Sequence, residues 1–272
     1  MELIQSLLLG LLQGLTEFLP ISSSGHLVLA RNLLGYNLDR GVTFEIVVHF
    51  GTLCSIALYY REEIVNVVKS AIKLLIQPTR FSDNYTTDPN ARMAVYIIVS
   101  MIPAMVVGFT LKDQIEEFLM NPVNVSIMLI VTGLILFLTR FAKGGEKELT
   151  LGRSLVIGMA QAFAIIPGVS RSGSTIATGL YMNMNKNEVA NFSFLMVLPV
   201  IGGAMLLEVK DMIEAGSTNV GVAELVIGFI AAFVSGYFAL KYLIAVLKKG
   251  GLHYFAFYCW IVGAAGLVWF AA

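Results

Sequence analysis

Six stretches of the chain are apolar over about the length of a membrane crossing: 43–60, 93–111, 123–141, 190–209, 222–247 and 253–271. A helical span needs roughly 20 predominantly apolar residues. Two further apolar stretches stop short in the same manner. Residues 3–21 run into Pro20 and then Ser22, Ser23, Ser24, Gly25 and His26. Residues 151–167 run into Pro167, Gly168, Ser170, Arg171, Ser172, Gly173, Ser174 and Thr175. Each pattern predicts a helix that stops partway, turns through small polar residues and restarts. Irregular backbone at membrane depth is tolerated only where protein or a polar cavity satisfies it. Both are therefore expected to be re-entrant helix–turn–helix segments. Residues 62–77 read as an amphipathic interfacial helix, and residues 80–92 as the only long polar loop.

The charges orient these elements. Basic residues concentrate in 61–92 (Arg61, Lys69, Lys73, Arg80, Arg92), in 140–153 (Arg140, Lys143, Lys147, Arg153) and at Lys248 and Lys249. The connections at 112–121 and 208–221 are mostly acidic, with Asp113, Glu116, Glu117, Glu208, Asp211 and Glu214. The positive-inside rule places the basic set in the cytoplasm. Six spans then alternate without conflict, and the two broken segments enter from opposite sides.

A repeat accompanies this topology. At an offset of 148 residues Gly10 meets Gly158, Gln13 meets Gln161, Ser22 meets Ser170, Ser24 meets Ser172, Gly25 meets Gly173, Asn37 meets Asn185 and Phe44 meets Phe192. The expected fold is an all-α membrane protein, a single integral domain over 1–272. It has six transmembrane helices plus two re-entrant segments in an inverted-topology repeat, about 1–141 and about 149–272. Such repeats place their sites near the midplane, where broken helix ends meet. Residues 13–26 should therefore face residues 167–175.

Composition agrees and narrows the function. Hydrophobic residues make up 57% of the chain and charged residues 13%, against about 25% charged in soluble domains. The net charge is zero, so no field favours nucleic acid. Cys54 and Cys259 lie in apolar runs without metal-like spacing and read as small apolar residues. The N-terminal segment lacks a basic leader and a small-residue cleavage site, and is expected to stay in the mature protein.

Arg171 is the most costly residue of the pattern, at about 2.5–3.5 kcal/mol for an Arg at bilayer depth by insertion scales. It could lock two helices through a carboxylate. The hydroxyls and glycines around it point instead to a phosphate clamp. A guanidinium fork matches phosphate oxygens, and Ser170, Ser172, Gly173, Ser174 and Thr175 would supply hydroxyls and N–H groups at a helix N-terminus. Glu17 is the second buried charge, with Gln13 one turn earlier. It could pair with Arg171, ligate a divalent cation through oxygen together with Gln13, or act as a base. Ser22, Ser23 and Ser24 could be caps and turn residues; one of them is a candidate nucleophile. His26 could be base, acid or nucleophile. His49, near Glu45, could line the cavity or simply pack. His253 reads as interfacial.

Two runs carry a family resemblance: Gln13-Gly14-Leu15-Thr16-Glu17-Phe18-Leu19-Pro20-Ile21-Ser22-Ser23-Ser24-Gly25-His26-Leu27 and Pro167-Gly168-Val169-Ser170-Arg171-Ser172-Gly173-Ser174-Thr175. They resemble the bacterial undecaprenyl-diphosphate phosphatases of the bacitracin-resistance type. Phe44-Glu45 and Asn191-Phe192-Ser193-Phe194-Leu195 fit the same pattern. The resemblance implies hydrolysis of undecaprenyl diphosphate to undecaprenyl phosphate and inorganic phosphate, which recycles the lipid carrier of cell-wall synthesis. It implies a functional set of Glu17, Ser23, His26 and Arg171, with Ser24, Ser170, Ser172, Gly173, Ser174 and Thr175 around the phosphates. Glu17 and Gln13 would bind Mg²⁺ or Ca²⁺, although Gln13 stands where relatives can carry a second acid. The expected setting is the bacterial inner membrane, with the site open to the periplasmic side. Membrane lipid is the expected surrounding partner, nucleic acid is not a partner, and a homodimer is left open. Ser23, His26 and water all stand as nucleophiles. The rival reading is a transporter or flippase for the polyprenyl phosphate carrier, because broken helices in inverted repeats are typical of transporters.

Overall fold

The computed structural model describes residues 3–34, 41–119, 121–142, 144–215 and 221–271. The described chain is almost wholly helical. In order come α1 (Leu3–Phe18), α2 (Ser23–Leu34), α3 (Gly41–Tyr59), α4 (Arg61–Ile76), α5 (Phe81–Thr87), α6 (Pro89–Leu119), α7 (Pro122–Leu138), α8 (Leu151–Phe163), α9 (Arg171–Tyr181), α10 (Lys186–Leu195), α11 (Val197–Ala215), α12 (Val222–Lys248) and α13 (Tyr254–Ala271). Among the described residues four helical stretches are long and apolar enough to cross a membrane: Pro89–Leu111, Pro122–Phe141, Val222–Lys248 and Tyr254–Ala271. The bent pair Thr43–Tyr59 and Arg61–Ile76 makes a fifth if taken together. Large side chains such as Ile98, Phe109, Phe238 and Trp269 lie exposed along these helices. This is an outer surface suited to lipid.

Both broken segments fall where the sequence puts them. α1 stops before Pro20 and α2 restarts at Ser23; α8 stops before Pro167 and α9 restarts at Arg171. Proline ends a helix because it lacks the N–H and crowds the carbonyl four residues back.

Two expectations are corrected. The stretch 190–209 is not one helix: α10 ends at Leu195 and α11 begins at Val197. Pro199 sits four residues after Leu195, so it cannot donate to the Leu195 carbonyl. The polar stretch 80–92 is not a loop but a 3₁₀ turn (Pro78–Arg80) followed by α5 and the start of α6. Pro78 and Pro89 occupy first-turn positions where their missing N–H groups cost nothing. Asp88 caps α6: its Oδ1 accepts the Asn90 N–H at 2.9 Å and its Oδ2 accepts the Ser70 hydroxyl at 2.7 Å. The Ser70 hydroxyl, then the backbone N–H groups, hold the Asp88 carboxyl below its usual range. The helix expected at 62–77 forms as α4, bent 85° from α3, with Val65, Val68, Ile72 and Leu75 exposed on one stripe.

The packing is reciprocal. α1 lies chiefly against α12, α8 chiefly against α6, and α7 against α13. Glycines permit both close crossings. A Cβ at Gly10 would lie 2.5 Å from the Gly228 carbonyl oxygen on α12, and one at Gly158 would lie 2.4 Å from the Ser100 carbonyl oxygen on α6. The expected pairing of Asn37 with Asn185 falls outside the described residues, because Asn37 is not among them. So does Lys143. The side chains of Asp113, Glu116, Glu117, Glu208, Asp211 and Glu214 also lie outside the description.

Candidate active site

The two turns are built alike. Ser22 and Ser170 precede α2 and α9. Ser22 Oγ accepts the Gly25 N–H at 3.3 Å, and Ser170 Oγ accepts the Gly173 N–H at 3.1 Å. Each hydroxyl also meets that of the serine two residues on, Ser24 or Ser172, at 3.3 Å. Both are N-caps, which satisfy one of the orphan donors of a first turn and leave the others aimed outward. Ser22 has φ 68°, a left-handed conformation that costs a residue with a Cβ roughly 1–2 kcal/mol. The turns touch: a Cβ at Gly25 would lie 3.1 Å from Gly168 Cα. Two helix N-termini thus converge, each the positive end of a dipole. Thr132 on α7 fixes the second turn. Its hydroxyl donates to the Gly168 carbonyl at 2.8 Å and accepts the Ser170 N–H at 3.0 Å.

Glu17 stands at the junction. It is 7% exposed. Its Oε1 pairs with an Arg171 guanidinium N–H, 154 residues away in sequence. Its Oε2 accepts the Ser23 hydroxyl at 2.6 Å and the Gln13 amide at 3.0 Å. His49 Nε2 lies 3.9 Å from the same oxygen. The His49 ring is oriented by Nδ1, which must carry a proton to bond the Glu45 carbonyl at 2.8 Å. The sequence-predicted Gln13, Glu17, Ser23 and Arg171 therefore meet directly.

His26 lies one turn into α2 and is buried. Its Nδ1–H donates to the Ser22 carbonyl at 2.8 Å; in the neutral ring Nε2 accepts the Tyr258 hydroxyl at 2.9 Å. Both nitrogens are thus engaged by protein. Ser24 is exposed beside the cap. Ser172, Gly173, Ser174 and Thr175 are buried in α9. The Thr175 hydroxyl bonds its own helix, at the Arg171 carbonyl, 2.9 Å away. The Ser174 hydroxyl is buried without a hydrogen-bond partner among the described residues.

Sequence comparison decides the kinship. The family model of the bacitracin resistance protein BacA matches residues 6–265. The chain belongs to the BacA family. Relatives named undecaprenyl-diphosphatase share this length. That of Salinibacter ruber is 42% identical, with 97% of each chain covered; that of Bacteroides fragilis is 42% identical over 98% of each; that of Carboxydothermus hydrogenoformans is 38% identical over 100% of this chain and 99% of its own.

In this BacA-family protein the divalent-cation expectation can be weighed against the donors present. Among the described residues no three His, Cys, Asp or Glu side chains cluster for a metal. Gln13 Oε1, however, is buried with no hydrogen-bond partner among the described residues, on the same amide whose Nε2 donates to Glu17, the acceptor of the Ser23 hydroxyl. One carboxylate, one amide oxygen and one hydroxyl fit a hard cation that draws its remaining ligands from phosphate and water.

Three residues of this constellation carry little or no sequence signal. His49 is legible only as a polar residue in an apolar span. Tyr258 and Thr132 carry no signal at all, each being one of several such residues in a membrane helix. Tyr258→Phe leaves His26 Nε2 without its donor while keeping the ring. The expected outcome is a loss of activity of about tenfold with an unchanged fold, the scale of one lost hydrogen bond that fixes the His26 ring. Steady-state kinetics would check it, and an unaltered rate would remove Tyr258 from the site.

Proposed function

We propose that this protein hydrolyses undecaprenyl diphosphate, releasing undecaprenyl phosphate and inorganic phosphate. In doing so it recycles the lipid carrier of cell-wall synthesis and confers bacitracin resistance. Its family and the names of its full-length relatives support the activity. The single observation that carries the chemistry is the junction of Glu17, Ser23 and Arg171 where two capped helix N-termini converge.

The reading of the reaction follows the geometry. The terminal phosphate enters between α2 and α9. Arg171 turns part of its fork from Glu17 to the phosphate oxygens, and the first-turn N–H groups add donors, so charge developing in transfer meets fixed positive dipoles. The Ser23 hydroxyl already donates to Glu17 Oε2. Glu17 takes its proton as Ser23 Oγ bonds to the terminal phosphorus, and the bridging P–O bond breaks to release undecaprenyl phosphate. Water then cleaves the phosphoserine, yielding inorganic phosphate and restoring the hydroxyl. His26 is less suited to attack, because Ser22 and Tyr258 occupy both of its nitrogens. Glu17, Gln13 Oε1 and Ser23 would hold a Mg²⁺ or Ca²⁺ ion, which would neutralise phosphate charge when bound.

The charge pattern supports a six-span arrangement in the bacterial inner membrane, with the site open to the periplasmic side. The reciprocal contacts of α1 with α12 and of α8 with α6 favour an inverted repeat of about 1–141 and about 149–272. The same architecture suits a transporter, and one measurement separates the readings. The purified chain in detergent, given undecaprenyl diphosphate, should release inorganic phosphate without any sealed compartment. Movement of polyprenyl phosphate across vesicles, with no phosphate release in detergent, would establish the transporter instead.

A further inference from the structure

Helix α8 and helix α6 cross where Gly158 meets the Ser100 carbonyl. Beyond that crossing α6 runs on to Leu119, whereas α8 stops at Phe163. The early end of α8 leaves one flank of α6 uncovered. A groove of about 670 Å³ opens there, lined on α6 by Ile102, Val106 and Leu111 and on α8 by Met159 and Phe163, with Ile166 in the turn beyond. Every residue lining it is apolar. Val106 and Met159 are 57% and 51% exposed, so no other part of the described chain fills it.

The groove ends beside the phosphate-binding turn. The Ile166 carbonyl accepts the Val169 N–H at 3.0 Å. The next residue, Ser170, caps α9, and Arg171 opens that helix. One tight turn thus separates the apolar wall from the guanidinium. An amphiphile whose charged head sits at Arg171 needs an apolar path within that reach.

We infer that the α6–α8 groove binds the first isoprene units of the polyprenyl tail, as a subsite distinct from the phosphate centre. This rests on the proposed hydrolysis of a polyprenyl diphosphate. The groove holds the isoprene units that every prenyl diphosphate carries next to its head, while the head site performs the chemistry.

The experiment compares undecaprenyl diphosphate with farnesyl diphosphate on the full-length protein in detergent. Val106→Trp fills the groove; Val234→Trp, on the exposed face of α12, is the control. Val106→Trp should raise KM about tenfold for both substrates, the scale of a lost apolar pocket contact, and change kcat far less than KM. Val234→Trp should change neither. In parallel, a prenyl diphosphate bearing a diazirine on its first isoprene units is crosslinked to the unaltered protein, which removes any dependence on the variant's folding. Labelling at Met159 or Val106 supports the subsite. Labelling centred on another face, such as Phe238, or an unchanged KM in Val106→Trp, overturns it. Absence of phosphate release by the unaltered protein overturns the hydrolytic reading itself.

Discussion

Arg171→Ala is expected to lower phosphate release by about 10³-fold or more, the range seen when a charge-stabilising arginine is removed from phosphoryl transfer. The loss has two sources. The transition state loses a planar fork of donors. The Glu17 carboxylate also loses its cation while remaining 7% exposed. Breaking a buried pair in this way typically destabilises by about 3–5 kcal/mol. A thermal unfolding curve in detergent should therefore shift downward along with the activity. Arg171→Lys separates the two effects. It keeps a positive charge near Glu17 and most of the stability, yet lacks the fork, so kcat should stay low while the melting temperature recovers. Activity of Arg171→Ala near that of the unaltered protein would remove the clamp assignment.

Ser23→Ala carries the second large effect. If Ser23 Oγ attacks phosphorus, its removal should lower kcat by about 10³-fold or more, leaving what binding and charge stabilisation alone supply. KM should change little, since Arg171 and the helix termini remain. Stability should change by only about 1 kcal/mol, because one hydroxyl donating to Glu17 Oε2 is lost while Gln13 and Arg171 still satisfy the carboxylate. A rapid quench with labelled substrate should trap a phosphoserine in the unaltered protein and none in the variant. A variant retaining more than about a tenth of the rate would instead show that water attacks directly, since one helper group is worth about 10²–10⁴.

Much of this arrangement was legible before any coordinates. Pro20 and Pro167 interrupt apolar runs, and serine and glycine follow each at matching positions, so two broken helices and their convergence could be read from punctuation alone. Glu17 and Arg171 stood out because charge in an apolar setting is costly, and they do meet. What the sequence hid was of two kinds. Pro199 breaks the span at Met196 although its neighbours are uniformly apolar; hydropathy measures solvent preference and is blind to a missing N–H. The polar stretch 80–92 folds into helix because Pro78, Asp88 and Pro89 act as starts rather than stops, and proline has both uses. Tyr258 and Thr132 reach the site from α13 and α7. Their contribution depends on which face of a membrane helix looks inward, and no local pattern records that. The Thr175 hydroxyl depends on context in the same way: inside its helix it donates to the carbonyl four residues back.

The bond between Glu17 and Arg171 spans more than half the chain. Neither half holds the pair alone, since one contributes the acid and the other the cation. On the ribosome, then, an inserted first half carries its carboxylate without the cation. The pair closes only once the ninth helix has entered beside the first, so the junction's formation is timed by the chain's own assembly.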